Sequence, residues 1–136
     1  MDRLTNKQRS TLMRKVRTKH TAPELIVRNT LHRLGYRYAL HSKRLPGTPD
    51  IVLSSRKKVI LVNGCFWHGH SCPRGALPSS NHDFWCLKIK KNKKRDSSQI
   101  RALENLGWAT LVVWECETKV DLIMALQFRL IAFLES

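Results

Sequence analysis

Apolar residues recur at helical spacing in several stretches, with short β-prone runs between them. From Pro23 onward, Leu25, Ile26, Val27, Leu31 and Leu34 mark one face of a helix that Gly35 stops. Pro23 falls in the first turn, where its missing N–H costs nothing. Thr21 and Glu24 have the capping-box spacing, in which each side chain satisfies the other residue's free backbone N–H. Thr5 and Gln8 repeat that spacing and predict an earlier helix over 6–18. Its only apolar residues are Leu12, Met13 and Val16, a stripe too thin to hold it on a core, so it reads as an arm that orders on a partner.

Three short runs follow, 36–41, 50–53 and 58–63, separated by turns at 45–49 and 54–56, and they predict a three-strand meander. Residues 64–81 are rich in Gly, Pro and Ser and read as loop, long enough to be either disordered or held by something such as a metal. A helix is predicted over 84–106, ended by Gly107. At 100° per residue, Trp85, Ile89, Asn92, Asp96, Ile100 and Leu103 fall within about 80° of one another. Two polar residues therefore lie on its inward line, and if buried they need hydrogen-bond partners. An apolar strand over 108–115 and an amphipathic helix over 121–134, capped by Asp121, complete the order α-β-β-β-α-β-α after the arm. This predicts a single α/β domain with a mixed sheet flanked by helices, an arrangement that fits a nuclease core among many other folds.

Composition narrows the partner. The chain has 136 residues, 42% of them hydrophobic, and 25 Lys+Arg against 10 Asp+Glu, a net charge of +15. It can bury one modest core, and its surplus charge favours a polyanion, either nucleic acid or an anionic membrane surface. Residues 1–44 carry +10, 45–89 carry +3, 90–101 carry +5 and 102–136 carry −3, so the last quarter is a different kind of surface. No apolar run approaches the roughly 20 residues of a membrane span, and the first residues lack a secretory apolar core, which predicts a cytoplasmic protein.

Four cysteines in such a compartment point to metal or catalysis more than to disulfides. Cys65, His68, His70 and Cys72 lie within eight residues of sequence, and Cys116 follows a strand. Structural zinc takes four N/S ligands in a tetrahedron, which Cys65, Cys72, Cys116 and one of the two histidines would supply. Spacing leaves open whether His68 or His70 is the ligand. The alternative is reduced thiols and surface histidines. Cys86, beside Trp85, reads as packing.

The histidine not bound to zinc would be free to move a proton near neutral pH. Asp50, after Pro49, is either a turn residue or a hard oxygen ligand of the kind Mg²⁺ prefers. Glu24 reads first as a cap. Phe66, Trp67, Trp85 and Met13 lie near basic stretches and are either core residues or wedges able to unstack base steps.

Taken together, Arg9-Ser10, Met13-Arg14, Thr21-Ala22-Pro23-Glu24, Leu45-Pro46-Gly47-Thr48-Pro49-Asp50, the block from Gly64 through Cys65-Phe66-Trp67-His68 to Cys72, Phe84-Trp85, Lys91-Asn92 with Arg95-Asp96, and Val113-Trp114-Glu115-Cys116 resemble the very-short-patch repair DNA mismatch endonucleases. The likeness is collinear from about residue 9 to 117. It implies a restriction-endonuclease-like, PD-(D/E)xK-type core with a structural zinc site, and an enzyme that nicks one strand 5′ to the thymine of a T·G mismatch left by deamination of 5-methylcytosine. By position, Asp50 and the backbone carbonyl of Val62 would hold Mg²⁺. His68 would activate water, with Glu24 and Asp96 as supporting acids. Cys65, His70, Cys72 and Cys116 would bind zinc. Phe66, Trp67, Trp85 and Met13 would intercalate, and Arg9, Arg14, Lys15, Lys91 and Lys94 would contact the DNA backbone.

The same resemblance implies a basic DNA-gripping arm over 1–20 and an endonuclease domain over 21–136. It also implies a monomer acting at the bacterial nucleoid, with other mismatch-repair proteins as further partners and no membrane. The chain departs from the wider nuclease pattern at Leu61, Val62 and Asn63, where a Glu-x-Lys pair would stand. Two other readings use the same basic and aromatic features: a zinc-stabilised module that binds distorted DNA without cutting, and a restriction-type enzyme that cuts both strands of matched DNA.

Overall fold

The structure, a computed structural model, describes residues 20–136. The predicted helix over 6–18, with Arg9, Met13, Arg14 and Lys15, lies outside the described residues. The described chain runs α1 (Ala22–Arg33), β1 (Ala39–Leu40), β2 (Ile51–Leu53), β3 (Lys58–Asn63), α2 (His82–Asn105), β4 (Ala109–Trp114) and α3 (Ile123–Leu134).

The four strands form one mixed sheet in the order β1-β2-β3-β4. β1 and β2, and then β2 and β3, pair antiparallel, as a meander with short turns must. β3 and β4 pair parallel over their full length, from Lys58 opposite Ala109 to Asn63 opposite Trp114. A parallel pair needs a long crossover, and the 64–81 loop with α2 provides it.

Strand alternation sorts the core into two layers. Ile51, Leu53, Ile60 and Val113 face α1 and α3, where Val27, Leu31, Leu126, Leu130 and Leu134 are buried against them. Val52 and Val59 point the other way and pack on Leu103 of α2, with Leu45 and Trp108 beside them. The sheet is therefore buried on both faces, which explains why its strands read as continuous apolar runs. Leu130 is fully buried, and its truncation to Ala would cost about 2–5 kcal/mol.

The boundaries differ from the sequence reading in three places, each for a local reason. The first strand shrinks to Ala39–Leu40 because the flanking tyrosines serve other contacts: the Tyr36 hydroxyl bonds Glu135 and the Tyr38 hydroxyl donates to the Arg28 carbonyl. Asp121 does not cap the last helix. It sits in a 3-10 turn, Val120–Leu122, and the helix starts at Ile123 without a side-chain cap. The central helix starts earlier than predicted, at His82. One charged residue is buried outside any predicted role: the Lys58 ammonium donates to the carbonyls of Phe133, Leu134 and Ser136 and so caps the end of α3, where the helix dipole favours a cation.

Candidate active site and metal centre

An open cleft of about 1170 Å³ runs between the start of α1, the edge of β2 and β3, the 64–70 loop and the middle of α2. Asp50 stands just before β2. Its Oδ2 accepts a hydrogen bond of 2.8 Å from the Val62 N–H on β3. Burial, and then repulsion from Glu24, push its pKa up to about 6, although the Val62 N–H and the nearby His41 and His68 pull it down. A carboxylate held this way gains from a cation beside it.

Glu24 is 2% exposed. Thr21 does cap the helix, accepting from the Glu24 N–H at 3.4 Å, but the carboxylate is engaged elsewhere. Its Oε1 is 2.9 Å from His41 Nε2 and its Oε2 accepts from Arg28 at 3.3 Å. The expected capping box is thus one-sided, and the acid turns into the cleft. His20, Glu24 and His41 bring ligand atoms within 4.8 Å of one another. The Arg28 guanidinium already supplies the cation there, bonded to His20 at 2.9 Å as well as to Glu24.

Across the cleft, His68 Nδ1 lies 2.5 Å from Asp96 Oδ2. A carboxylate accepts, so Nδ1 carries the proton and Nε2 is left as the basic nitrogen. Asn92 Nδ2 donates to the Trp67 carbonyl at 2.9 Å. The two polar residues on the inward line of α2 are therefore both spent on holding the loop that carries His68.

The same loop closes a second cluster. Cys65, His70, Cys72 and Cys116 bring one ligand atom each within 4.8 Å of the others. Cys116 Sγ to His70 Nδ1 is 3.6 Å. A tetrahedral site with usual Zn–S and Zn–N bond lengths has an S···N edge of about 3.6 Å, so the donor set fits that ion in kind, number and spacing. Burial pushes the Cys65 thiol up to about 12 and raises Cys116 too. Burial also acts on Cys72, but hydrogen bonds from His70 and Cys65 outweigh it and lower that thiol to about 6. Together with His70, these three thiols could hold a metal ion. His70 is held by stacking on Trp114, with ring centroids 4.2 Å apart. Gly75 closes the loop so tightly that a Cβ there would sit 1.9 Å from the His70 carbonyl oxygen.

Phe66 and Trp67 are half-buried and line the cleft. Trp85 is 2% exposed and sits behind them, its ring centroid 5.3 Å from Phe66 and 5.9 Å from Trp67. In this conformation it supports the other two. Lys91 and Lys94 are exposed on α2, but Lys88 and Arg95 are the basic residues of that helix that line the cleft. The sequence assigned no site role to Lys88, to His41 or to Arg95, although Arg95 lies in one of the motifs quoted for the resemblance. The signal for His41 lay in the meander itself: pairing Leu40 with Ile51 sets residue 41 across from residue 50.

The model of the DNA mismatch endonuclease Vsr family matches residues 1–74. That span includes Glu24, Asp50, Cys65, His68, His70 and Cys72, while Asp96 and Cys116 lie beyond it. Type II nicking enzyme V.XorIIP of Xanthomonas oryzae pv. oryzae is 53% identical over 116 residues, 85% of this chain and 85% of its own. V.NmeAIP of Neisseria meningitidis, also a type II nicking enzyme, is 49% identical over 118 residues, 87% of this chain and 84% of its own. The DNA mismatch endonuclease Vsr of Escherichia coli K12 is 41% identical over 108 residues, 79% of this chain and 69% of its own. With its family match and these relatives, the chain belongs to the Vsr family of DNA mismatch endonucleases.

Proposed function

We propose that this endonuclease nicks one strand of duplex DNA 5′ to the thymine of a T·G mismatch arising from 5-methylcytosine deamination, by Mg²⁺-dependent phosphodiester hydrolysis. The observation that carries the reading is the convergence of Asp50, Glu24 and the His68–Asp96 pair on one cleft with basic walls.

Asp50 and the Val62 carbonyl would hold Mg²⁺. A residue in a β-ladder presents its N–H and C=O to the same edge, and the Val62 N–H already faces Asp50. When bound, the ion neutralises phosphate charge and acidifies water. His68 takes the proton of the attacking water at Nε2, while Asp96 holds the ring and steadies the imidazolium that forms. The water oxygen bonds to phosphorus as the bond to the leaving deoxyribose oxygen breaks. Glu24 supports the Asp50 site from the other side. The mixed sheet with an acid at the start of β2 supports a PD-(D/E)xK-type core in which Leu61, Val62 and Asn63 replace the usual Glu-x-Lys pair.

The Cys65, His70, Cys72 and Cys116 cluster would hold structural zinc. Phe66 and Trp67, backed by Trp85, are the wedges proposed to enter beside the mismatch, and Met13 on the N-terminal arm is proposed to act from the other groove. Lys91 and Lys94, with Arg9, Arg14 and Lys15 on the arm, would pair with phosphates, and binding should weaken steeply with salt. The proposed setting is a monomer at the bacterial nucleoid, working beside other mismatch-repair proteins. Incubation with Mg²⁺ and a panel of end-labelled duplexes tests the activity. Cutting of only the T-containing strand of T·G duplexes supports it; double-strand cutting of matched DNA favours the restriction-type reading, and binding without cutting favours the non-cleaving module.

A further inference from the structure

One partly buried group in the cleft has no part in the chemistry above. His41 follows β1, and its backbone N–H donates to the Asp50 carbonyl at 3.1 Å. Its Nε2 lies 2.9 Å from Glu24 Oε1, with side chains 10% and 2% exposed. Its backbone is left-handed, φ 46°, a conformation that costs energy for a residue other than glycine and persists where the surroundings enforce it. His41 thus touches both acids through different groups: its main chain fixes the strand end that carries Asp50, and its ring fixes the carboxylate of Glu24.

Two carboxylates that repel each other across a metal position need restraint, or one will turn away when no cation is bound. Arg28 restrains Glu24 Oε2. His41 restrains the other oxygen. A carboxylate oxygen only accepts, so the ring must present N–H at Nε2, a task a glutamine amide can also perform.

We propose that His41 is a positioning residue of the nicking reaction, holding Glu24 in the orientation that serves the Asp50 metal site. The inference rests on the reading of Glu24 and Asp50 given above. The test uses the full chain with T·G duplex and Mg²⁺, measuring single-turnover nicking against Mg²⁺ concentration for His41→Ala, His41→Gln, Glu24→Gln and the Glu24→Gln/His41→Ala double variant. Bound zinc and duplex affinity serve as controls for folding.

His41→Ala should slow nicking about 10- to 100-fold and raise the Mg²⁺ needed for half-maximal rate, with duplex affinity unchanged. His41→Gln should recover most of that loss. In the Glu24→Gln background, His41→Ala should add little, because its partner is already lost. Equal defects in the Ala and Gln variants, or full additivity in the double variant, would overturn the proposal. A normal rate in His41→Ala with a slow Glu24→Gln overturns it alone; a normal rate in Glu24→Gln overturns the role of Glu24 as well.

Discussion

The two clusters that share the 64–72 loop are built on opposite principles. The Cys65, His70, Cys72 and Cys116 set offers soft donor atoms, three of them from one short segment, gathered around a point. The cleft gathers carboxylate oxygens and two imidazoles from α1, the segment after β1, the edge of β2, the loop and α2, and it stays open to solvent. The first arrangement suits a structural ion that never leaves, the second an ion and a substrate that come and go. The loop joins them: with Cys65 and His70 held, His68 between them has little freedom, and Asp96 fixes what remains.

If the soft cluster is the foundation of the hard one, its loss should be the larger effect. Cys116→Ser should release zinc, loosen the loop and abolish nicking together, visible as metal content below one equivalent and faster proteolysis within 64–81. Retention of full nicking without zinc would break the comparison. A smaller effect is expected at the bridge between the clusters. Asp96→Asn should leave zinc in place and slow nicking about 100-fold, because the imidazole loses the partner that sets its tautomer.

The smallest effect concerns stability and sharpens the contrast in charge. Asp50 has a folded pKa raised from 3.8 to about 6. A group so raised stabilises the fold fully below its unfolded value, and that contribution is lost as pH rises through about 6. At neutral pH without added metal, Asp50→Asn should therefore raise the melting temperature, by roughly 2 kcal/mol of stability, while removing activity. In the unaltered protein the nicking rate at limiting Mg²⁺ should fall as pH drops through about 6, and excess Mg²⁺ should move that fall lower. A melting temperature unchanged by Asp50→Asn would remove the electrostatic account of this site.

The two clusters also differ in how far the sequence reveals them. Density alone marks the soft one, since Cys65, His70 and Cys72 are neighbours and Cys116 follows an evident strand. What spacing left open was the choice between His68 and His70, because that depends on which way each ring turns in the loop. The hard cluster is dispersed. By pattern alone Asp96 was a polar residue on an apolar line and Glu24 half of a capping box; the family resemblance gave both as supporting acids, and the contacts of Glu24 with His41 and Arg28 are what only the structure supplied. His41 itself carries no local pattern, and its place follows from strand register. Helices α1 and α2 and strands β2 to β4 were legible because their apolar periodicity is set by burial on a two-faced sheet. The place of β1 in the meander was legible too, but not its short length, since its flanking tyrosines make contacts with other elements.

The proposed proton transfer at His68 and the proposed metal binding by its neighbours in sequence are separable functions of one loop. The direct measurement is His68→Ala, with zinc content and nicking of a T·G duplex determined on the same sample. One equivalent of zinc, unchanged duplex affinity and a rate lowered about 10²- to 10⁴-fold are predicted. An unchanged rate, or a loss of zinc that accompanies the loss of rate, would contradict it.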